Sequence, residues 1–137
     1  MIKTGENHYT LPHLYSCTEQ LRLLRNLLVR EDGETLVIGQ GVPRAWLERG
    51  KHVAVNKAPT SFGDVSCRIE PRGAGTTRIT LDPPMRKPAR EIRIHLRDPQ
   101  RRTIARVKGA AGADVSFSGE AIVLRNVRTP VELNVIY

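Results

Sequence analysis

Aromatic side chains are scarce in this chain: they make up 4% of its 137 residues, as one Trp, three Tyr and two Phe. Cysteine is scarcer still. Cys17 and Cys67 fall in a helix-like and a strand-like segment and are too few for the disulfide framework of a small secreted domain, so buried free thiols are expected. No run approaches the roughly 20 apolar residues of a membrane span. The opening stretch MIKTGENHYTLPHLYS lacks the apolar centre of a signal peptide, so the chain reads as soluble and without an export address.

What is present fits one ordinary domain. With 39% apolar and 26% charged residues, the chain can build one core but has no room for two large ones. Twenty-two Lys and Arg against 14 Asp and Glu give a formal charge of +8, an excess that attracts polyanions without saying which.

Residues 1–15 show no clean period and include His8, Tyr9, Pro12, His13 and Tyr15, so an irregular lead-in is expected. From Ser16 the pattern sharpens. Ser16 with Glu19 three places on has the form of a capping box, and Leu21, Leu24 and Leu28 recur at helical spacing, widened by Leu23 and Leu27. Arg22, Arg25, Asn26 and Arg30 fall on the other side, which predicts an amphipathic helix ending near REDG.

After Gly33 the texture changes to short β-rich runs: ETLVIG, KHVAVNKA, GDVSCRIEP, TTRITLDP, REIRIHLRDP, TIARVKG, ADVSFSG, EAIVLRNV and PVELNVIY. Gly, Pro, Asn or Asp separates nearly all of them. With no helical stretch long enough for a crossover between them, they predict an antiparallel sandwich rather than a parallel α/β sheet. In REIRIHLR, Ile92, Ile94 and Leu96 alternate with Glu91, Arg93, His95 and Arg97, as in a half-buried strand. The loop DPPMRKPA, with its three prolines, is placed at a sheet edge. The expected architecture is therefore mainly β: an antiparallel β-sandwich over residues 34–137, preceded by an irregular lead-in and one amphipathic helix over residues 1–33.

Catalytic patterns are poorly represented. No G-x-S-x-G elbow occurs, and Cys67 sits in an apolar-alternating run where a thiol is core rather than nucleophile. His8, His13, His52 and His95 are too scattered for paired zinc ligands. GQGVPR begins like a phosphate loop, but Arg44 stands at its third glycine position, so Gly39 and Gly41 read as a turn and Pro43 as the first residue of a short helix. Glu31, Asp32 and Glu34 cluster at a helix end, where solvated charge is usual. No catalytic residue, metal or cofactor is assigned.

Two candidate binding features remain. The basic face of Arg93, His95 and Arg97 could meet an acidic glycan or nucleic acid, yet it carries no interleaved aromatic ring and no RNP-like motif, which disfavours nucleic acid. Trp46 and Phe62 could stack on a sugar, although a large aromatic is more often mostly buried and both can be read as packing a corner between helix and sandwich. The candidate ligand-binding residues are thus Trp46, Phe62, Arg93 and Arg97.

LRNLLVRED at 24–32, LVIGQGVPRAWLERGK at 36–51, APTSFGDVS at 58–66, REIRIHLRDP at 90–99 and IARVKG at 104–109 follow one another in an order and spacing that cover most of the chain after Ser16. In this the chain resembles the C-terminal end of bacterial glycosidases whose catalytic part is a six-hairpin α/α toroid. It departs in having Lys108 where the hairpin usually carries a polar turn residue such as Asn. The family's acid and base lie on the toroid, for which about 30 residues ahead of the strands leave no room. The resemblance therefore implies a non-catalytic accessory sandwich with one terminal helix. Its partner would be the toroid of a parent chain, or a second copy met through the leucine face.

Overall fold

The computed structural model describes residues 14–137. His8, Tyr9, Pro12 and His13 lie outside the described residues. Helix α1 runs from Leu14 to Leu28. Ser16 is inside it rather than capping it: the Thr18 hydroxyl bonds back to the Leu14 carbonyl at 2.8 Å, and Glu19 faces Arg22 instead of closing a capping box.

The helix also stops at Leu28, before the expected end near REDG. Residues Val29–Asp32 form strand β1, which pairs with β2, Thr35–Ile38, so REDG is strand and turn rather than helix end. Tertiary burial overrides the local pattern here. The β-branched Val29 is fully buried, and Gly33, at φ +59, occupies the first position of the two-residue connection, where a hairpin turn takes glycine. The sheet thus begins before residue 34.

All nine expected β runs are strands: β2, then β3 (Val53–Thr60), β4 (Gly63–Gly73), β5 (Thr76–Asp82), β6 (Glu91–His95), β7 (Arg106–Gly109), β8 (Asp114–Ser118), β9 (Ala121–Arg125) and β10 (Val131–Ile136). They form two five-stranded sheets, ordered β1-β2-β6-β9-β8 and β3-β4-β5-β10-β7. Every pairing is antiparallel except β2 with β6. A parallel pair needs a long crossover, and here the whole β3–β5 meander of the opposite sheet supplies it in place of a helix. The Pro-rich loop also departs from expectation. Pro83 and Pro84 are buried as residues 83–90 cross from one sheet to the other, rather than lining an edge.

One buried cluster draws on both sheets: Leu36, Ile38, Ile92, Ile94, Ile122 and Leu124 from the first, and Val65, Cys67, Ile69, Ile79, Leu81, Leu133 and Val135 from the second. Each large side chain contributes about 1.5–3 kcal/mol when removed from water. A one-residue slip would turn a whole strand's set outward, so the register of strands such as β6 is strongly fixed.

Helix α1 joins this body through its last turn. The Gly39 amide donates to the Leu28 carbonyl at 2.8 Å and the Gly41 amide to the Leu27 carbonyl at 3.2 Å. A Cβ on Gly41 would stand 2.9 Å from the Leu27 α-carbon, so glycine is required there for close approach rather than for its dihedral angles. Gly41→Ala is expected to cost about 1–3 kcal/mol, as overpacking does; urea unfolding followed by circular dichroism checks this.

Candidate docking site at the helix and the Trp46 groove

Projected at about 100° per residue, Leu14, Cys17, Leu21, Leu24 and Leu28 form one stripe along α1, with Leu23 and Leu27 on its flank. Leu27 packs on Gly41 and Leu28 reaches the core margin, but no residue of the helix is buried, and Leu21, Leu23 and Leu24 are more than half exposed. An amphipathic helix gains its stability by burying such a stripe.

The stripe ends at a groove. Leu28 lines an open depression of about 610 Å³ with Trp46, Gly50, His52, Val53 and Ala54. Trp46 lies in the 3-10 turn Arg44–Leu47, with Pro43 at its N-cap position. That turn folds so that Leu47 enters the core, which leaves the indole 41% exposed. The expectation that Trp46 fills a packed corner is therefore corrected.

Phe62 is different. It is 2% exposed, held in a two-residue hairpin loop between β3 and β4 whose shape is set by Thr60: the Thr60 hydroxyl donates to the Gly63 carbonyl at 2.5 Å and accepts from the Phe62 amide at 3.1 Å. With its ring in the core, Phe62 offers no face to a ligand. Trp46 and Phe62 thus do not form a shared sugar platform.

Beside this hairpin, the carboxylate of Glu31 accepts from both the amide and the hydroxyl of Ser61 and faces Arg25 at 3.7 Å, while Arg25 donates to the Pro59 carbonyl at 2.5 Å. Helix α1, strand β1 and the β3–β4 hairpin are clasped together there. The reading of Glu31 as merely solvated is corrected. The Ser61 hydrogen bond, helped by Arg25, holds its carboxyl below the usual carboxylate range.

Arg93 and Arg97 stand with His95 on the outer face of the first sheet, but their cations are engaged. Arg93 pairs with Glu91 at 2.6 Å, Arg125 meets the same carboxylate at 2.9 Å, and Arg97 donates to the Val42 carbonyl at 3.3 Å. Burial and then the neighbouring Arg93, Arg97 and Arg30 push the His95 imidazole below its ordinary value. Arg93 and Arg97 share this face, whereas Trp46 belongs to a different part of the surface and Phe62 to the core.

Arg44 had no assigned role in the sequence pattern, yet it ties together the sandwich end. It grips Glu120 through both carboxylate oxygens, at 2.5 and 2.8 Å, and the Asp98 carbonyl at 2.6 Å. Asp98, 4% exposed, takes two bonds from the Arg102 guanidinium and one from the Arg102 amide. Arg102 in turn lies over the Tyr137 ring at 4.8 Å. These partners are 54 and 76 residues from Arg44, beyond the reach of any local pattern.

Burial pushes the Cys67 thiol up to about 12, as expected of a core cysteine, whereas Cys17 is only half-buried on α1. Among the described residues no group of three His, Cys, Asp or Glu is placed to hold a metal, and no helix is long and apolar enough to cross a membrane. No protein-family model, curated protein or solved structure matches the chain.

Two outcomes follow. Trp46→Ala should lower unfolding stability by less than the roughly 3–5 kcal/mol of a buried tryptophan, because the indole is already partly in water; thermal or urea melts read this. Stability should also fall in two stages on acidification. A histidine whose folded value is depressed loses stability as pH drops below about 6.5, and His95→Gln should remove that first stage. The carboxylates of Glu31, Glu91, Asp98 and Glu120 are also held low, so their contribution is complete above the ordinary carboxylate range and lost as pH falls through it. Melting temperature measured against pH checks both stages.

Proposed function

We propose that this chain is a non-catalytic accessory β-sandwich domain of a glycoside hydrolase, attached to a helical catalytic body through α1 and the Trp46 groove. The observation that carries this reading is the unburied leucine stripe running into an exposed tryptophan. A helical body can cover that stripe by ordinary helix packing, and an exposed indole at its end is the kind of anchor around which interfaces concentrate their binding energy. The resemblance to the tail of toroid glycosidases supplies the identity of the body. The missing acid and base then belong to the toroid, and the sandwich's work is structural: it braces the toroid and borders its cleft.

Leu21→Glu with Leu24→Glu should change unfolding stability by no more than about 0.5 kcal/mol, since both side chains are exposed. The same pair should abolish binding of a hydrophobic dye and any association through the helix. Unchanged dye binding would remove the docking reading. The glycosidase assignment is tested separately, by translating the reading frame upstream of Met1: helical hairpins there support it, and an isolated gene overturns it. A domain for acidic glycans or nucleic acid would instead bind heparin in a salt-sensitive way that Arg93→Ala and Arg97→Ala weaken.

A further inference from the structure

The two sheets have four edge strands, and three of them are blunted. Strand β1 carries Arg30, Glu31 and Asp32 in its four residues and is clasped by α1 and Ser61. Strand β3 is broken by a register shift between Val55 and Ala58, with Lys57 at φ +49 and Pro59 beyond it. Strand β7 is four residues long and bears Arg106 and Lys108. Bulges, charges and short length are the usual means of keeping an edge from pairing with another chain.

Strand β8 has no bulge, and its one charge, Asp114, stands at its end. Its five residues, Asp114-Val115-Ser116-Phe117-Ser118, pair with β9 in unbroken register and include no Pro, Lys or Arg. Among the described residues, no backbone hydrogen bond reaches β8 from outside the β8–β9 ladder. Phe117 shares a sheet face with Val115, which packs against the core, yet Phe117 is 42% exposed at the open margin of the sandwich.

We propose that β8 pairs antiparallel with β8 of a second copy of this chain, joining the two first sheets into one continuous sheet across a twofold axis. The strand is self-complementary about Ser116. In that register Ser116 faces Ser116, Val115 faces Phe117 twice, and Asp114 faces Ser118, so two β-branched–aromatic pairs form and no like charges meet. Charge selects the occupant as well. A chain of formal charge +8 repels its own copies over most surfaces, but residues 109–118 carry a single charge, Asp114, which is already bonded to Asn126 at 2.5 Å. An isologous edge contact of this kind closes at two subunits.

The test uses the full chain carrying Leu21→Glu and Leu24→Glu, so that association through the helix cannot contribute. Sedimentation should show a concentration-dependent dimer, with amide-exchange protection at residues 114–118 rising with concentration. Ser116→Lys and Ser116→Glu, each alone, place like charges opposite one another and should weaken the dimer roughly fivefold or more. An equimolar mixture of the two should restore it. Far-ultraviolet circular dichroism of each variant confirms that the sandwich is folded. A monomer at every concentration in the helix-altered background, a dimer indifferent to Ser116→Lys, or a mixture no tighter than its components would each overturn the pairing.

Discussion

The carboxylate of Glu31 holds the joint on which the arrangement of this chain depends. It sits on β1, at the edge of the first sheet, and accepts from the Ser61 amide and hydroxyl in the hairpin that borders the second. Arg25 adds a bond from the helix to the Pro59 carbonyl of that hairpin. Charge-assisted bonds of this kind are stronger and more directional than neutral ones, so they set the angle at which sheet, hairpin and helix meet. With that side fixed, the last turn of α1 is laid across Gly39 and Gly41, and the leucine stripe faces outward by geometry rather than by chance.

The sandwich is consequently asymmetric. One side is tied by β1, β3 and α1, and the other ends in the plain backbone of β8 with Phe117 at its margin. Arg44 and Glu120 fasten one end of the sheets, with Asp98 and Arg102 beside them. Polar ties thus fasten the joint and this end, while an apolar cluster fills the space between the sheets. Such a division leaves two unlike surfaces available to partners: a helical one with an indole at its end, and a backbone edge.

Much of this was legible in the sequence because it is local. Period-two alternation in REIRIHLR and turn residues between the runs specify strands wherever one face is buried, and nine strands follow from them. Strand β1 was hidden because Val29–Asp32 continues a leucine-rich helical run, and only the fully buried Val29 and the pairing with Leu36 and Val37 reveal the switch. Glu31 and Arg44 were hidden for a related reason: their partners lie 30 or more residues away. Trp46 was misjudged because composition says only that a tryptophan is usually mostly buried. Nothing in PRAWL discloses that Leu47 takes the inward place and leaves the indole outside.

The parallel pairing of β2 with β6 carries a consequence in time. The two strands touch residue for residue from Thr35 with Glu91 to Ile38 with Ile94, yet the hairpins of the opposite sheet lie between them along the chain. On a growing polypeptide the β1–β2 hairpin therefore has no neighbour on its inner edge until residue 95 has emerged. The β3–β5 meander, built from consecutive strands, needs no later chain for its own pairings. The β3–β5 meander can thus assemble as a template, on which the first sheet closes and to which β10 and β7 are added last, so neither layer reaches its final form without the other.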